Sequence, residues 1–251
     1  MRIKQLLDIA MQAGEILIKS GAEVYRVEET VARICGAYGI KCECFVLLSG
    51  IFMSAESENG DSISLIKRVK GHTIDLTRIQ MVNAFSRDLE KETMTYEQAK
   101  KTLDGIAHMP RYKFLPRLVM AAFTAYVYTL LFKGNYDEAV AAFVAGILMY
   151  SVKELISKAG FFQFFEFFVS GAVAGFMSLL AASFFPGLNI YKIIVGAIIF
   201  LVPGMAITNG IKDALYGDIV SSLYRLTEAI FVAAAVGSGV GIVLAVGLPW
   251  I

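Results

Sequence analysis

Apolar and polar positions divide this chain near residue 113. Beyond that point long apolar runs are broken by only 7 acidic and 8 basic residues, whereas the first 112 residues hold 15 of each. A hydrocarbon core of about 30 Å takes roughly 20 apolar helical residues per crossing. The pattern therefore predicts about five transmembrane helices, at residues 115–132, 139–152, 164–185, 191–208 and 219–248. The second is short unless it borrows from Tyr136 or from the polar turn through Lys153 and Glu154. The fourth carries Pro203-Gly204, which removes a backbone hydrogen bond and predicts a kink or break.

The first part reads as α+β. Residues 3–19 place Leu6, Leu7, Ala10, Ala13, Ile16 and Leu17 on one helical stripe, and a second helix is expected from Ala22, after the Ser20-Gly21 stop. Residues 42–57 look strand-like. Glu58-Asn59-Gly60-Asp61 is a hairpin signal, and residues 62–69 alternate again. Helical periodicity returns over 73–91 and 95–108, where Thr95 with Gln98 forms a capping-box pattern. The expected organisation is an α+β cytosolic N-terminal domain, residues 1–112, followed by an all-α polytopic membrane domain, residues 113–251.

Composition agrees with this division. The chain is 57% hydrophobic and 18% charged, with a mean hydropathy of +0.62. A net charge of +1 gives no indication of a nucleic-acid partner or a polybasic lipid-binding face. Asp8 and Glu15 interrupt the only apolar stretch of the N-terminus, so no signal peptide is expected. Arg111, Lys113, Arg117, Lys153, Lys158 and Lys212 outnumber Lys133 and Lys192 on the opposite side. The positive-inside rule thus puts the first domain in the cytosol and, with five crossings, the C-terminus outside. Cys35, Cys42 and Cys44 lack metal-type spacing and fit buried thiols in a reducing cytoplasm.

His72 and His108 stand alone, and no phosphate-binding loop, GxSxG or GxGxxG is present. No metal or cofactor is expected, and an ATP-driven pump is disfavoured. Chemistry falls to the polar groups of the membrane half. Asp218, Ser221 or Ser222, Arg225, Glu228 and Val232 recur at three- and four-residue spacing and share one helical face. A charged residue at a helix centre costs about 2.5 to 3.5 kcal/mol on insertion scales, so such groups face a protein interior or a wet cavity. Arg225 and Glu228 could form an internal pair that fastens helices. Alternatively, Arg225 supplies charge to a substrate carboxylate while Glu228 tunes it or carries a proton. After the Pro203-Gly204 break, Asn209 and Asp213 join Asp218 on the cytosolic approach, as discontinuous transporter helices do.

Other features divide between chemistry and structure. Glu166 is expected to snorkel to the interface or to act as a protonatable group. Gly171 with Gly175, and Gly237 with Gly241, have the GxxxG spacing of close helix contacts. Glu23, Arg26 and Glu28, with Glu29, form a candidate site in the first domain, although acids at a helix start also favour the helix dipole.

Two long segments, Ser20-Gly21-Ala22-Glu23-Val24-Tyr25-Arg26-Val27-Glu28-Glu29 and Val202 through Asp213 continuing by Gly217-Asp218 to Arg225 and Glu228-Ala229, resemble the threonine/serine exporter (ThrE) family. The length resembles its half-size YjjP-like branch. Ser221-Ser222 departs from the Ser-Gly pair expected before the Arg. The resemblance implies a bacterial inner-membrane protein that exports small hydrophilic metabolites, either amino acids such as threonine and serine or a dicarboxylate such as succinate. It also implies a small YjjB-like membrane subunit as partner in a hetero- or homo-oligomer within the lipid bilayer. The competing class is a membrane-anchored hydrolase or metabolite sensor acting through the first domain. Five helices with intramembrane charges exceed what an anchor needs.

Overall fold

The first helix, α1 (Ile3–Lys19), is enclosed on more sides than a single stripe requires. Besides the six expected positions it buries Ile9, Met11, Gly14 and Ile18. It is the central element of its core: α2 (Val24–Ala37), the strand β2 (Gly50–Glu56), α3 (Leu76–Lys91) and α4 (Tyr96–Ala107) all pack on it. Five large side chains of α1, Leu6, Leu7, Ile9, Leu17 and Ile18, are fully buried, each contributing about 1.5 to 3 kcal/mol. Gly14 lets β2 and α2 approach, since a Cβ there would sit 3.0 Å from the Ile51 side chain and 3.3 Å from that of Val31.

This computed structural model describes residues 2–56, 62–110 and 112–250. The strand-like stretch over 42–57 holds two strands, β1 (Cys42–Leu47) and β2, joined by a tight turn at Leu48-Ser49 that pairs Leu47 with Gly50. β3 (Ser62–Arg68) completes an antiparallel sheet of order β1-β2-β3. The hairpin signal at Glu58 to Asp61, and Arg111 of the charge bias, lie outside the described residues. The capping box at Thr95 is present, with Thr95 accepting from the Gln98 amide and Gln98 reaching back to the Thr95 amide. The three cysteines are free thiols, and burial, with the charge of Glu28 beside it, pushes the Cys44 thiol up to about 12.

The apolar half forms α5 (Phe114–Leu131), α6 (Tyr136–Lys158), α7 (Gln163–Phe184), α8 (Ile190–Ile198), α9 (Gly204–Leu215) and α10 (Ile219–Gly247). Four of these, α5, α6, α7 and α10, are long and apolar enough to cross a membrane. A fifth span arises if α8, its 3-10 extension to Leu201 and α9 count as one segment bent by 58°. The break follows Val202 and puts Pro203 immediately before α9, as the sequence predicts. α6 borrows at both ends, because the charges that shortened it in the sequence reading are paired: Lys153 with Glu166 of α7 at 2.5 Å, and Glu154 with Arg117 of α5 at 2.8 Å.

Contacts divide the chain into two compact units, Met1–Pro110 with Thr208–Leu226, and Arg111–Ile207 with Thr227–Ile251. The first unit thus draws in most of α9 and the first two turns of α10. In the second, α7 lies directly on α10. A Cβ at Gly171 would fall 2.5 Å from the Val236 carbonyl, and one at Gly175 lies 3.4 Å from the Val240 Cα. Gly237 and Gly241 meet nothing within 4 Å.

Candidate functional site

The turn from α1 to α2, Ser20 to Glu23, sets the geometry of the site. α1 ends where Gly21 adopts φ +85°, a left-handed conformation available cheaply to glycine. Turns of this kind leave carbonyls and amides without helical partners. The Lys19 and Ser20 carbonyls accept from the amides of Thr73 and Asp75. The Gly21 carbonyl accepts from the Asn209 side-chain amide at 2.9 Å, and the Ala22 carbonyl from Arg225 Nη2 at 2.7 Å.

At the start of α2 the Glu23 side chain makes no capping bond. The first amide of the helix, that of Val24, donates instead to Asp213 Oδ1 at 3.0 Å. The other oxygen of the same carboxylate, Oδ2, accepts from Arg225 Nε at 2.9 Å. Asp213 is fully buried and Arg225 is 8% exposed. A charge-assisted pair in this setting is stronger than its surface equivalent, and each partner depends on the other for compensation of its burial. Gly210 permits the contact: a Cβ there would come within 3.0 Å of Leu226 and 3.3 Å of the Arg225 Cβ.

A second layer of charge surrounds this pair. Glu23 is held by Lys212 at 3.0 Å and by Arg26 at 3.4 Å. Burial raises its carboxyl, but its own backbone amide and the two cations outweigh that and leave it below the usual range. Glu28 accepts from the Val46 amide at 3.0 Å, and its carboxyl is raised by burial, with a smaller contribution from the charge of Asp218. Asp218, between α9 and α10, is raised chiefly by burial and then by the charge of Asp213. Tyr25 stacks on Tyr216 with ring centroids 3.9 Å apart, next to these groups in sequence on both sides.

Of the sequence candidates, Asn209, Asp213, Asp218, Arg225, Glu23, Arg26 and Glu28 gather around the α1–α2 turn. Ser221 and Ser222 are both buried in the same unit. Glu228 belongs to the other unit, where it accepts from the Gln163 side chain at 3.3 Å. Arg225 is therefore paired with Asp213 of the preceding helix rather than with Glu228. Pro203 and Gly204 stand at the helix break. Glu166, in the first turn of α7, is 8% exposed and bound to Lys153.

The sequence reading passed over Glu138. This residue is 2% exposed, and its carboxylate accepts from the backbone amides of Asn135 at 2.8 Å and Asn189 at 2.9 Å. Asn135 and Asn189 in turn cap α6 and α8, so one carboxylate ties together two connecting loops of the second unit. Lys192 lies 3.7 Å from it. The Asn-x-x-Glu spacing of a capping box was the available signal.

A family model described as "Putative threonine/serine exporter" matches residues 8–247. The chain is 22% identical over 241 residues to a "Probable threonine/serine exporter" of Mycobacterium tuberculosis, covering 94% of this chain and 45% of that protein. It is 22% identical over 249 residues to a "Threonine/serine exporter" of Corynebacterium glutamicum, covering 96% and 51%. A "Probable succinate transporter subunit YjjP" of Klebsiella aerogenes is 22% identical over 237 residues, covering 92% and 90%. The chain thus spans about half the length of the two exporters and most of the length of the subunit. No solved structure matches it.

Proposed function

Because the chain belongs to the threonine/serine exporter family, we propose that it is one subunit of a membrane exporter for small hydrophilic carboxylates. The substrate class follows the names of its relatives: amino acids such as threonine and serine, or a dicarboxylate such as succinate. The observation that carries this reading is the buried Arg225, whose guanidinium binds a carboxylate beside the first amide of α2. An oriented guanidinium with a helix N-terminus is a general means of holding an oxyanion.

In this reading residues 1–112 form the cytosolic domain, and residues 113–251 supply about five crossings with the C-terminus outside, as the Lys/Arg bias supports. The solute path runs past Asn209, Asp213, Asp218, Ser221 and Arg225, with the Pro203-Gly204 break preceding them in the chain and Glu228 following them on α10. Glu23, Arg26 and Glu28 frame the cytosolic approach. The half-length match to two exporters, and the match to a protein named as a subunit, support a second, YjjB-like membrane subunit that completes the path in the bacterial inner membrane.

The test is efflux of labelled threonine, serine and succinate from cells that lack every related exporter and express this chain with or without a YjjB-like protein. Export that requires both chains, and that falls to background with Arg225→Ala, is expected. Unchanged efflux with Arg225→Ala at normal membrane abundance would exclude the site. Full export by this chain alone would exclude the partner.

A further inference from the structure

We infer that the Asp213 carboxylate is a resident stand-in for the carboxylate of the transported solute, occupying a binding site formed by the Val24 amide and the Arg225 guanidinium. This inference rests on the exporter reading and assigns the internal competitor at its site.

The observation is an anion site whose anion comes from the chain itself. α2 is a helix of 14 residues, and its first amide points at Asp213 Oδ1, where helix N-termini attract negative charge. Arg225 Nε supplies the second donor, to Oδ2. The Ala22 carbonyl, by taking Nη2, fixes the orientation of the guanidinium. Two donors converge on the two oxygens of one carboxylate, in a place where Asp213 is fully buried and Arg225 nearly so. Glu23 is adjacent to Val24 in sequence and could have capped the helix locally, but it is held by Lys212 and Arg26. The capping anion is instead delivered by α9, which starts at the Pro203 break.

Exchange at such a site conserves charge. An incoming carboxylate takes the Val24 and Arg225 donors, Asp213 leaves, and only hydrogen bonds are broken and formed. Solute binding and the Asp213 contact with the α1–α2 turn are then mutually exclusive, so loading the site leaves α9 held to the turn by Asn209 and Lys212 alone. The competitor also lowers apparent affinity in proportion to the fraction of time Asp213 is displaced. If that fraction is about a tenth or less, removing the competing charge tightens solute binding about tenfold or more.

The test uses the full chain purified in detergent. Asp213→Ala is melted in sodium formate and in sodium chloride at equal ionic strength. Formate is expected to raise the midpoint by about 3 °C or more, to leave the parent chain unmoved, and to lose its effect when Arg225→Gln is added. Equal midpoints in the two salts overturn the inference. Asp213→Asn, which keeps the shape and one acceptor oxygen, is tested in parallel for binding of labelled threonine, serine and succinate. Tighter binding of at least one solute than by the parent, with no gain for threonine amide, supports the stand-in. Formate rescue without any gain in solute binding overturns it and leaves Asp213 a structural cap. Absence of export by the parent chain with its partner, with formate rescue and tighter solute binding intact, would instead remove the exporter reading and leave the carboxylate site standing.

Discussion

Asp213 caps the helix that begins at Val24, 189 residues earlier, through a 3.0 Å bond from the Val24 amide. The same carboxylate neutralises Arg225, so one side chain serves the start of α2 and the first turns of α10. Removing Arg225 alone leaves a buried, uncompensated Asp213. Arg225→Leu should therefore destabilise the chain by about 3 to 5 kcal/mol. Adding Asp213→Asn removes the orphan charge while keeping an acceptor for Val24, and should restore much of the loss. Membrane abundance and thermal midpoint of the two single variants and the double variant measure this coupling. A double variant as unstable as the sum of the singles would mean that the pair is not coupled.

A fragment of residues 1–110 retains the core around α1 but lacks Asn209, Asp213 and Arg225. It is expected to melt cooperatively with a mixed α/β circular dichroism spectrum. Its amides at 21–26 should nevertheless exchange much faster than those of the full chain. Equal protection there would show that the turn needs none of the three distant side chains. A disordered spectrum would show that the 208–226 segment completes the fold.

How legible this was depended on the range of each interaction. The Thr95–Gln98 box and the Pro203 break are written within a few residues, and both were readable. The turn at Leu48-Ser49 carries no Asn-Gly or Asp-Gly signal, so the division of the strand-like stretch into β1 and β2 was not legible. α6 looked short because Lys153 and Glu154 resemble an end, whereas their partners Glu166 and Arg117 lie on other helices. Arg225 is buried and paired with Asp213. Helical spacing could offer it only Glu228, three residues on, and could not reveal Asp213 on the preceding helix. The meeting of both signature segments at one turn is a tertiary fact that no spacing encodes.

Glu138 should prove structural. Glu138→Ala removes the acceptor of the part-buried amides of Asn135 and Asn189, at about 0.5 to 1.5 kcal/mol for each hydrogen bond lost. Glu138→Gln keeps an acceptor oxygen and should fall between Ala and the parent. Thermal midpoints of the three chains in detergent check the order. Parent-like stability of the Ala variant would refute it.

The two GxxxG pairs should behave differently. Gly171→Ala places a methyl 2.5 Å from the Val236 carbonyl and should separate α7 from α10, at a cost of about 1 to 3 kcal/mol. Gly237→Ala, which meets nothing within 4 Å, should leave the stability of the isolated chain unchanged. Comparable losses in both variants would contradict the packing.

Acid sensitivity has one assignable component. Burial raises Asp8, but its hydrogen bonds from Lys100 and Tyr96 outweigh this and hold its carboxyl below the usual range. A lowered folded pKa contributes stability that is present above about 3.9, the ordinary value, and is lost as pH falls through the folded value. The pair is partly exposed, so the contribution is under about 1 kcal/mol. Asp8→Asn should reduce stability at neutral pH and flatten the acid limb of a titration followed by circular dichroism. An unchanged acid limb would remove Asp8 from the account.

The distance in sequence between Val24 and its cap also sets an order of assembly. At a synthesis rate of about 5 to 20 residues per second, the 189 residues that separate them take the ribosome about 10 to 40 s. For most of that interval α1 and α2 have been made, yet the turn between them lacks its distant partners. Only when Arg225 emerges, within α10, can the Ala22 carbonyl and the Val24 amide be satisfied together. A nascent chain arrested before that point carries an unfinished turn, so completion of the turn reports that synthesis has reached α10.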